Sequence, residues 1–324
     1  MESVLKLFGA GSGLRRDPAE IVRSLLLSFG VPLLAIAIFL GAWALIAPTI
    51  QTSLGAVPGP TQVAEQTVTL WKDHFNERRK AREFYERQDA RNKERQAADP
   101  SYQPRDFEWT GKPTYLDQIF TSLYTVFTGF LLATLVAVPL GILAGSSKIV
   151  QAAINPMVQI FRPVSPLAWL PIVTLVVSAL YVTTGPPMFQ KSFLISAITV
   201  TLCSLWTTLI NTAIGVTSVD KDLVNVGRVL QLPLWTRVRK IILPSALPFI
   251  FTGMRLSLGV GWMVLIAAEM LAQNPGLGKF VWDEFQNGSS DSLSRIMVAV
   301  FTIGLIGFAL DRLMLVVQNL VTHR

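Results

Sequence analysis

The chain alternates between long apolar runs and shorter polar connections. Six runs stand out, at about 25–47, 121–145, 165–182, 193–216, 249–271 and 296–319. A helix rises about 1.5 Å per residue and the hydrocarbon core of a bilayer is about 30 Å thick, so roughly 20 apolar residues suffice to cross it. The pattern predicts an all-α, polytopic membrane protein with six transmembrane helices. The first run is too long for a secretory leader, and no cleavage site precedes a mature domain, so it reads as an anchor.

Between the first and second runs lies a polar segment, 48–117. Within it, residues 68–97 lack Gly and Pro and are rich in helix formers. Glu83 with Arg87 and Asp89 with Lys93, four apart with the acid first, add support for a charged helix. Pro58, Gly59 and Pro60 mark its start, and Pro100, Pro104, Gly111 and Pro113 its end. It reads as a solvated rod or as a platform on which an extracytoplasmic protein docks.

Composition agrees with a membrane protein. Of 324 residues 51% are hydrophobic and 15% charged, against about 25% charged in globular proteins. A net charge of +7 would suggest nucleic acid in a soluble protein. In a membrane protein it is expected, because Lys and Arg gather on the cytoplasmic side. A single cysteine, Cys203, excludes an internal disulfide. The two histidines, His74 and His323, lie outside every apolar run, so no imidazole or thiolate metal centre can assemble in the membrane. No cofactor and no catalytic residue is expected on this chain.

Orientation follows from the cations. With the N-terminus inside, the cytoplasmic segments carry Lys6, Arg15, Arg16, Arg23, Lys148, Arg162, Lys221, Arg228, Arg237, Arg239 and Lys240, whereas the short outer loops offer Lys191 and Lys279. Both termini are then cytoplasmic. The segment 48–117 holds eleven Lys or Arg and falls outside, but long loops translocate largely regardless of charge, and residues 48–67 contain none. The expected organisation is a cytoplasmic segment 1–24, a first transmembrane helix 25–47, an extracytoplasmic insertion 48–117, a core of five helices over 118–320 with a cytoplasmic loop 217–248, and a cytoplasmic C-terminus 321–324.

That cytoplasmic loop is the most distinctive stretch. Asp220 can cap a helix N-terminus. Leu223, Val226, Gly227 and Leu230 then line one narrow face of a two-to-three-turn helix, with Gly227 as a small gap. Gln231, Leu232 and Pro233 end it. A second short helix follows, with Leu234, Val238, Ile241 and Ile242 on one side, and Pro244 and Pro248 are expected to turn the chain into the fifth span. An amphipathic helix on the basic side of a membrane can rest on headgroups or insert into a groove on a partner. Gly227 would allow close backbone approach to such a partner.

The order Asp220, Leu223, Asn225-Val226-Gly227, Leu230, then Leu243-Pro244 and Pro248, resembles the cytoplasmic loop of ABC importer permeases. The similarity extends over about 115–320, through LGILAGSSK at 140–148, RPVSPLAWLP at 162–171, FTGMRLSLGVGWMVLIAAEML at 251–271 and NPGLGKFVWDEF at 274–285. Together these resemble the nitrate, sulfonate, taurine and bicarbonate branch, and most closely its nitrate permeases. Two departures stand out: the family's Glu-Ala-Ala is Asn-Val-Gly here, and its glycine near the helix end is Gln231.

The resemblance implies a type I importer permease fold in the bacterial inner membrane, working as a homodimer with ATPase subunits that carry ATP and Mg, and with an extracytoplasmic solute-binding protein. It implies that Asp220, Leu223, Asn225, Val226, Gly227, Arg228, Leu230, Gln231, Leu243 and Pro244 couple this chain to the ATPase. The chain itself would be no enzyme. GILAGSSK at 141–148 has the look of a phosphate loop, but its second glycine and its lysine are three apart where the motif needs them adjacent.

Polar groups within spans raise functional hypotheses. Arg162, Arg255 and Glu269 are candidates for the translocation pathway, with Pro163, Ser165, Pro166 and Trp169, since broken backbone at membrane depth is tolerated where it faces a cavity or protein. Each has a bland alternative: Arg162 as a headgroup anchor, Arg255 snorkelling to the cytoplasm, Trp169, Trp206 and Trp262 as packing. Glu269 would repel an anion and suits a helix-locking role. Asp311 and Arg312 are expected to pair elsewhere, and Gly253, Gly259 and Gly261 to permit close helix contact. The expected cargo is a small anion, nitrate or nitrite first, with taurine, alkanesulfonate, bicarbonate or cyanate as alternatives. A rival class, a secondary transporter driven by an ion gradient, predicts an internal repeat, and none is evident.

Overall fold

The computed structural model describes residues 23, 26–52, 55–99, 101–182 and 188–322. The cations Lys6, Arg15 and Arg16, as well as Pro100 and His323, lie outside the described residues. The elements are α1 (Val31–Ile46), a short hairpin of β1 (Gln51–Thr52) and β2 (Gly55–Ala56), then α2 (Pro60–Ala98), α3 (Tyr115–Ser146), α4 (Lys148–Phe161), α5 (Pro166–Leu180), α6 (Lys191–Thr217), α7 (Lys221–Val229), α8 (Leu234–Arg237), α9 (Leu243–Ala272), α10 (Leu277–Asn287) and α11 (Ser292–Thr322). Five helical stretches, Leu26–Thr49, Tyr115–Ser146, Lys191–Thr217, Trp235–Ala272 and Ser292–Thr322, are long and apolar enough to cross a membrane.

The third expected span differs. Its helix, α5, has 15 residues, about 22 Å at 1.5 Å per residue, which is short of the hydrocarbon thickness. It meets α4 at a bend of 102° over residues 162–165, and only the bent pair together satisfies the length. The break has a local cause: Ser165 caps α5 by accepting the Leu167 N–H at 3.3 Å, and Pro166 occupies the first helical position, where a missing N–H costs nothing. Pro171 is carried inside α5 instead of ending it.

The fifth span also starts earlier than its apolar run. A π-helical turn, Val238–Ile242, leads straight into α9. Pro244 sits in the first turn, where its absent donor is unneeded, and Pro248 lies within the helix, so the two prolines do not turn the chain.

The core forms around α6, which packs along its length against α3 and α9. Ser196, Val200, Ser204, Thr208 and Thr212, spaced four apart on one line of α6, are all fully buried. Small residues let backbones approach closely where lipid offers no hydrophobic drive between helices. Gly141 and Gly145 of α3 belong to the same seam: an added Cβ would lie 2.6 Å from Thr212 Cβ and 2.5 Å from Val216 Cβ respectively. The glycines of LGILAGSSK thus serve helix packing. On α9, Gly253 abuts Asn211 and Gly261 abuts Ser204, as expected, whereas Gly259 faces open space.

The charged helix is longer than its Gly- and Pro-free core, running from Pro60 to Ala98. It is also docked, not free. Val63 and Leu70 are buried against a cluster containing Tyr115, Leu277 and Phe280. His74 Nδ1 lies 2.6 Å from Thr114 Oγ1, and Arg78 pairs with Asp117. Beyond that point the segment 101–110 folds back along α2: Gln88, buried, accepts the Phe107 N–H, and the Tyr85 hydroxyl accepts the Trp109 N–H. At the turn, Ser101 donates its hydroxyl and N–H to Asp99, holding that carboxyl below its ordinary pKa.

Candidate functional site: the coupling loop and the membrane-buried polar groups

Asp220 accepts the Asp222 N–H at 2.9 Å and so caps α7, as its position predicts. On the outward side of this helix Leu223, Val226 and Leu230 are 49%, 54% and 64% exposed. Val229 and Trp235, absent from the expected set, are more exposed still at 82% and 72%. Val229, six residues after Leu223, lies about 120° around the helix from it, and Trp235 lies past the proline, so neither belongs to the narrow face read from the sequence. Asp222, Asn225, Val226, Val229 and Leu230 border a shallow depression of about 330 Å³.

The inward side is firmly seated. Val216, Val219, Ile242, Ala246 and Ile250 form a buried cluster joined by Val238, Ile241 and Leu243. It fastens the two flanks of the loop, at Val219 and at Val238–Ile242, to the ends of α6 and α9.

Gly227 belongs to this inward side. It is buried, and an added Cβ would lie 2.9 Å from Ile241 Cδ1. The close approach it permits is to the chain's own next turn, not to a partner. Gln231 adopts φ +49°, the left-handed region a glycine occupies without penalty. Leu243 and Pro244 lie in the first turn of α9. Arg228 is on α7, and its side chain lies outside the described residues.

At the α4–α5 break, Arg162 and Pro163 are exposed. Phe161 stacks against Trp206 with centroids 5.8 Å apart and tilts toward Trp169 at 5.7 Å. Both indole N–H groups are buried without an acceptor. Trp262 differs, donating to the Ile303 carbonyl at 3.0 Å.

Arg255 of α9 makes two hydrogen bonds to Asp311 of α11, at 2.5 and 2.8 Å. The neighbouring Arg312 turns away and stacks over Phe308 at 4.9 Å. Adjacent residues diverge by about 100° on a helix, so the two charges find separate partners.

Glu269 is fully buried near the end of α9. Ser122 of α3 donates to its carboxylate at 2.8 Å, and the Gly278 N–H at the start of α10 donates at 2.9 Å. Asn274 joins the same junction, donating to Thr125 at 3.3 Å. A carboxylate at a helix N-terminus satisfies free N–H groups and suits the dipole. Glu269 therefore ties the α9–α10 turn to α3. Ser122 and Asn274 were not among the expected residues. The sequence NPGLG five residues on was the available signal, since Gly276 leaves room for the carboxylate itself and Gly278 for the Ile266 carbonyl and the Glu269 Cβ.

Among the described residues no cluster of His, Cys, Asp or Glu could hold a metal ion. An all-helical bundle with a broken span and a capped, outward-apolar loop helix suits a transport subunit.

Residues 137–323, more than half the chain, match the family described as "binding-protein-dependent transport system inner membrane component". The chain belongs to that family: it is an inner-membrane permease subunit of an ABC importer, of the nitrate and bicarbonate type, and the family is one of membrane transport subunits.

Among its relatives is the nitrate import permease protein NrtB of Synechocystis sp., 33% identical over 90% of this chain and 88% of that protein. NrtB of Synechococcus elongatus is 36% identical over 63% of this chain and 69% of its own length. The bicarbonate transport system permease protein CmpB of Synechocystis sp. is 37% identical over 63% of this chain and 68% of its own. A chain of the MetNI methionine ABC transporter in an inward-facing conformation superposes with a TM-score of 0.50 at 16% identity, covering 62% of this chain and 95% of that one. It shares the fold.

Proposed function

We propose that this permease imports nitrate, with nitrite as a second cargo, and that α7 is the helix through which ATPase subunits drive it. The observation that carries the coupling assignment is the outward stripe of Leu223, Val226 and Leu230 on a capped helix whose Gly227 side lies against Ile241, in the turn that leads into α9. An apolar helix face of this kind fits a groove on a partner protein. Nitrate is favoured by the similarity to NrtB over 90% of the chain. Bicarbonate is the second reading, favoured by the 37% identity to CmpB.

In this account both termini and α7 are cytoplasmic, a reading that the Lys and Arg distribution supports. Two copies of the chain assemble over two ATPase chains, which hold ATP and Mg, and an extracytoplasmic binding protein delivers the anion. Nucleotide-driven closure of the ATPases moves α7, and through Val219, Ile242 and Ala246 that motion reaches the ends of α6 and α9. The passage then opens outward, and hydrolysis returns it inward. Arg162, the α5 N-terminus and Trp169 are the groups we place on the anion's path. Arg255 is held by Asp311, and Glu269 acts as a lock at the α9–α10 turn.

The test is ATP turnover by the assembled complex in proteoliposomes, with its binding protein and nitrate, nitrite, bicarbonate, taurine, an alkanesulfonate or cyanate in turn. Stimulation by nitrate is expected. Stimulation by bicarbonate alone would move the assignment to the second reading.

A further inference from the structure

The inner line of α2, Val63, Leu70, His74 and Gln88, packs on the bundle and the returning segment, as described above. A second line, Ala64, Val68, Trp71 and Phe75, recurs at the i, i+4, i+7, i+11 spacing of one helix face. At 3.6 residues per turn it centres about 110° around the helix from the buried line. Val68, Trp71 and Phe75 are 53%, 46% and 61% exposed, and the two rings lie 6.5 Å apart. The opposite flank is polar throughout: Glu65, Thr69, Asp73, Asn76 and Lys80. Part of that flank, Asp73, Asn76 and Lys80, borders a cavity of about 900 Å³ shared with Asp283 and Gln286 of α10. One flank of α2 therefore faces the bundle's own polar vestibule, and the other is apolar and uncovered.

The depth of this helix is fixed by its start. Trp43, in the last turn of α1, donates its indole N–H to the Pro58 carbonyl at 3.1 Å, and its ring lies tilted against Phe301 of α11 with centroids 5.2 Å apart. Val63 then packs with Tyr115, the first residue of α3, and Arg295 in the first turn of α11 reaches Gln66 at 3.5 Å. The ends of three membrane helices thus hold the first turns of α2 at a single surface of the bilayer. A Trp and a Phe at that level, on a helix flanked by Lys72 and Arg79, have the composition of an interfacial amphipathic helix. Among the described residues neither of those cations is in a salt bridge.

From this geometry we infer that the Ala64–Val68–Trp71–Phe75 flank of α2 lies in the lipid headgroup region, so that the insertion is anchored to the membrane surface along its first four turns. The occupant of this face is lipid. Because α2 also bridges the ends of α3 and α11, the anchor fixes the orientation of the polar vestibule beneath it. The inference does not depend on which anion is carried.

The experiment uses the full chain with its ATPase subunits in nanodiscs of phosphatidylethanolamine and phosphatidylglycerol. In a Cys203→Ala background, an environment-sensitive fluorophore is attached through Phe75→Cys, through Val68→Cys, or through Lys80→Cys on the polar flank. Quenching by lipids spin-labelled near the headgroup is expected to be at least twofold greater at positions 68 and 75 than at 80, with aqueous iodide giving the reverse order. Equal iodide quenching at all three positions would overturn the inference. So would protection of 68 and 75 from both quenchers, which would mean a protein covers the face: a second permease copy if protection is constant, the delivery protein if it appears only on adding that protein.

Discussion

Arg255 and Asp311 close a two-point ion pair between α9 and α11, with nitrogen-to-oxygen distances of 2.5 and 2.8 Å. Both side chains remain about a third exposed, at 33% and 37%, and the coupling expected of such a partly covered pair is about 1 kcal/mol. Arg255→Ala and Asp311→Ala are each expected to lower the melting temperature of the purified complex, and the double variant to lose less than the sum. Strict additivity would mean the pair contributes nothing. If Arg255 also contacts the anion, its variant alone should raise the half-saturation for uptake.

The junction at Glu269 is of a different kind, because water does not reach it. Glu269→Ala leaves the Ser122 hydroxyl and the Gly278 N–H without an acceptor. A buried donor left unpaired costs about 1–3 kcal/mol, so a loss of about 3 kcal/mol is expected for the two. Glu269→Gln keeps the shape and one acceptor and should cost less than half as much. Comparable melting temperatures for the Ala variant and the parent would rule out the locking role.

At the end of α7, Gln231 sits at φ +49°. Gln231→Gly removes the left-handed strain but adds unfolded-chain entropy, leaving a net gain of about 0.5 kcal/mol. Gln231→Val should be destabilising at the same site. Protease sensitivity of the 220–240 loop, measured on the assembled complex, gives the ranking; a more resistant Val variant would contradict the observed backbone.

Gly227 carries a related expectation. The atom an added Cβ would meet is Ile241 Cδ1, the far end of a flexible side chain. Gly227→Ala should therefore be tolerated with near-parental ATP turnover, whereas Gly227→Leu should push α7 off Ile241 and uncouple the complex. Equal activity of the two variants would remove the packing role.

Much of this architecture is legible in the sequence because bilayer thickness imposes length and composition on every span. The stretches 121–145, 193–216 and 296–319 fall inside α3, α6 and α11, and the charged helix announces itself by 30 residues without Gly or Pro. Proline was less readable. Pro163 and Pro166 accompany a real break, yet Pro171 and Pro248 are absorbed within helices, because packing can offset a single missing hydrogen bond.

The helix α7, proposed as the coupling element, was visible from its cap and its apolar spacing. The direction of Gly227 was not, because a glycine gives no sign of which side it packs on. Long-range partners left still less trace: nothing near Ser122 foretells Glu269, 147 residues away. The uncovered flank of α2 was hidden by the many charges around it, since Trp71 and Phe75 mean little until the buried line of the same helix is known.

Anion-stimulated ATP hydrolysis by the reconstituted complex, comparing the parent with Val226→Asp, tests the central claim most directly. Val226 is 54% exposed and belongs to none of the buried clusters, so a charge there should leave the permease folded and inserted while weakening ATPase attachment and abolishing stimulation. Full stimulation with stoichiometric ATPase bound would contradict α7 as the coupling element.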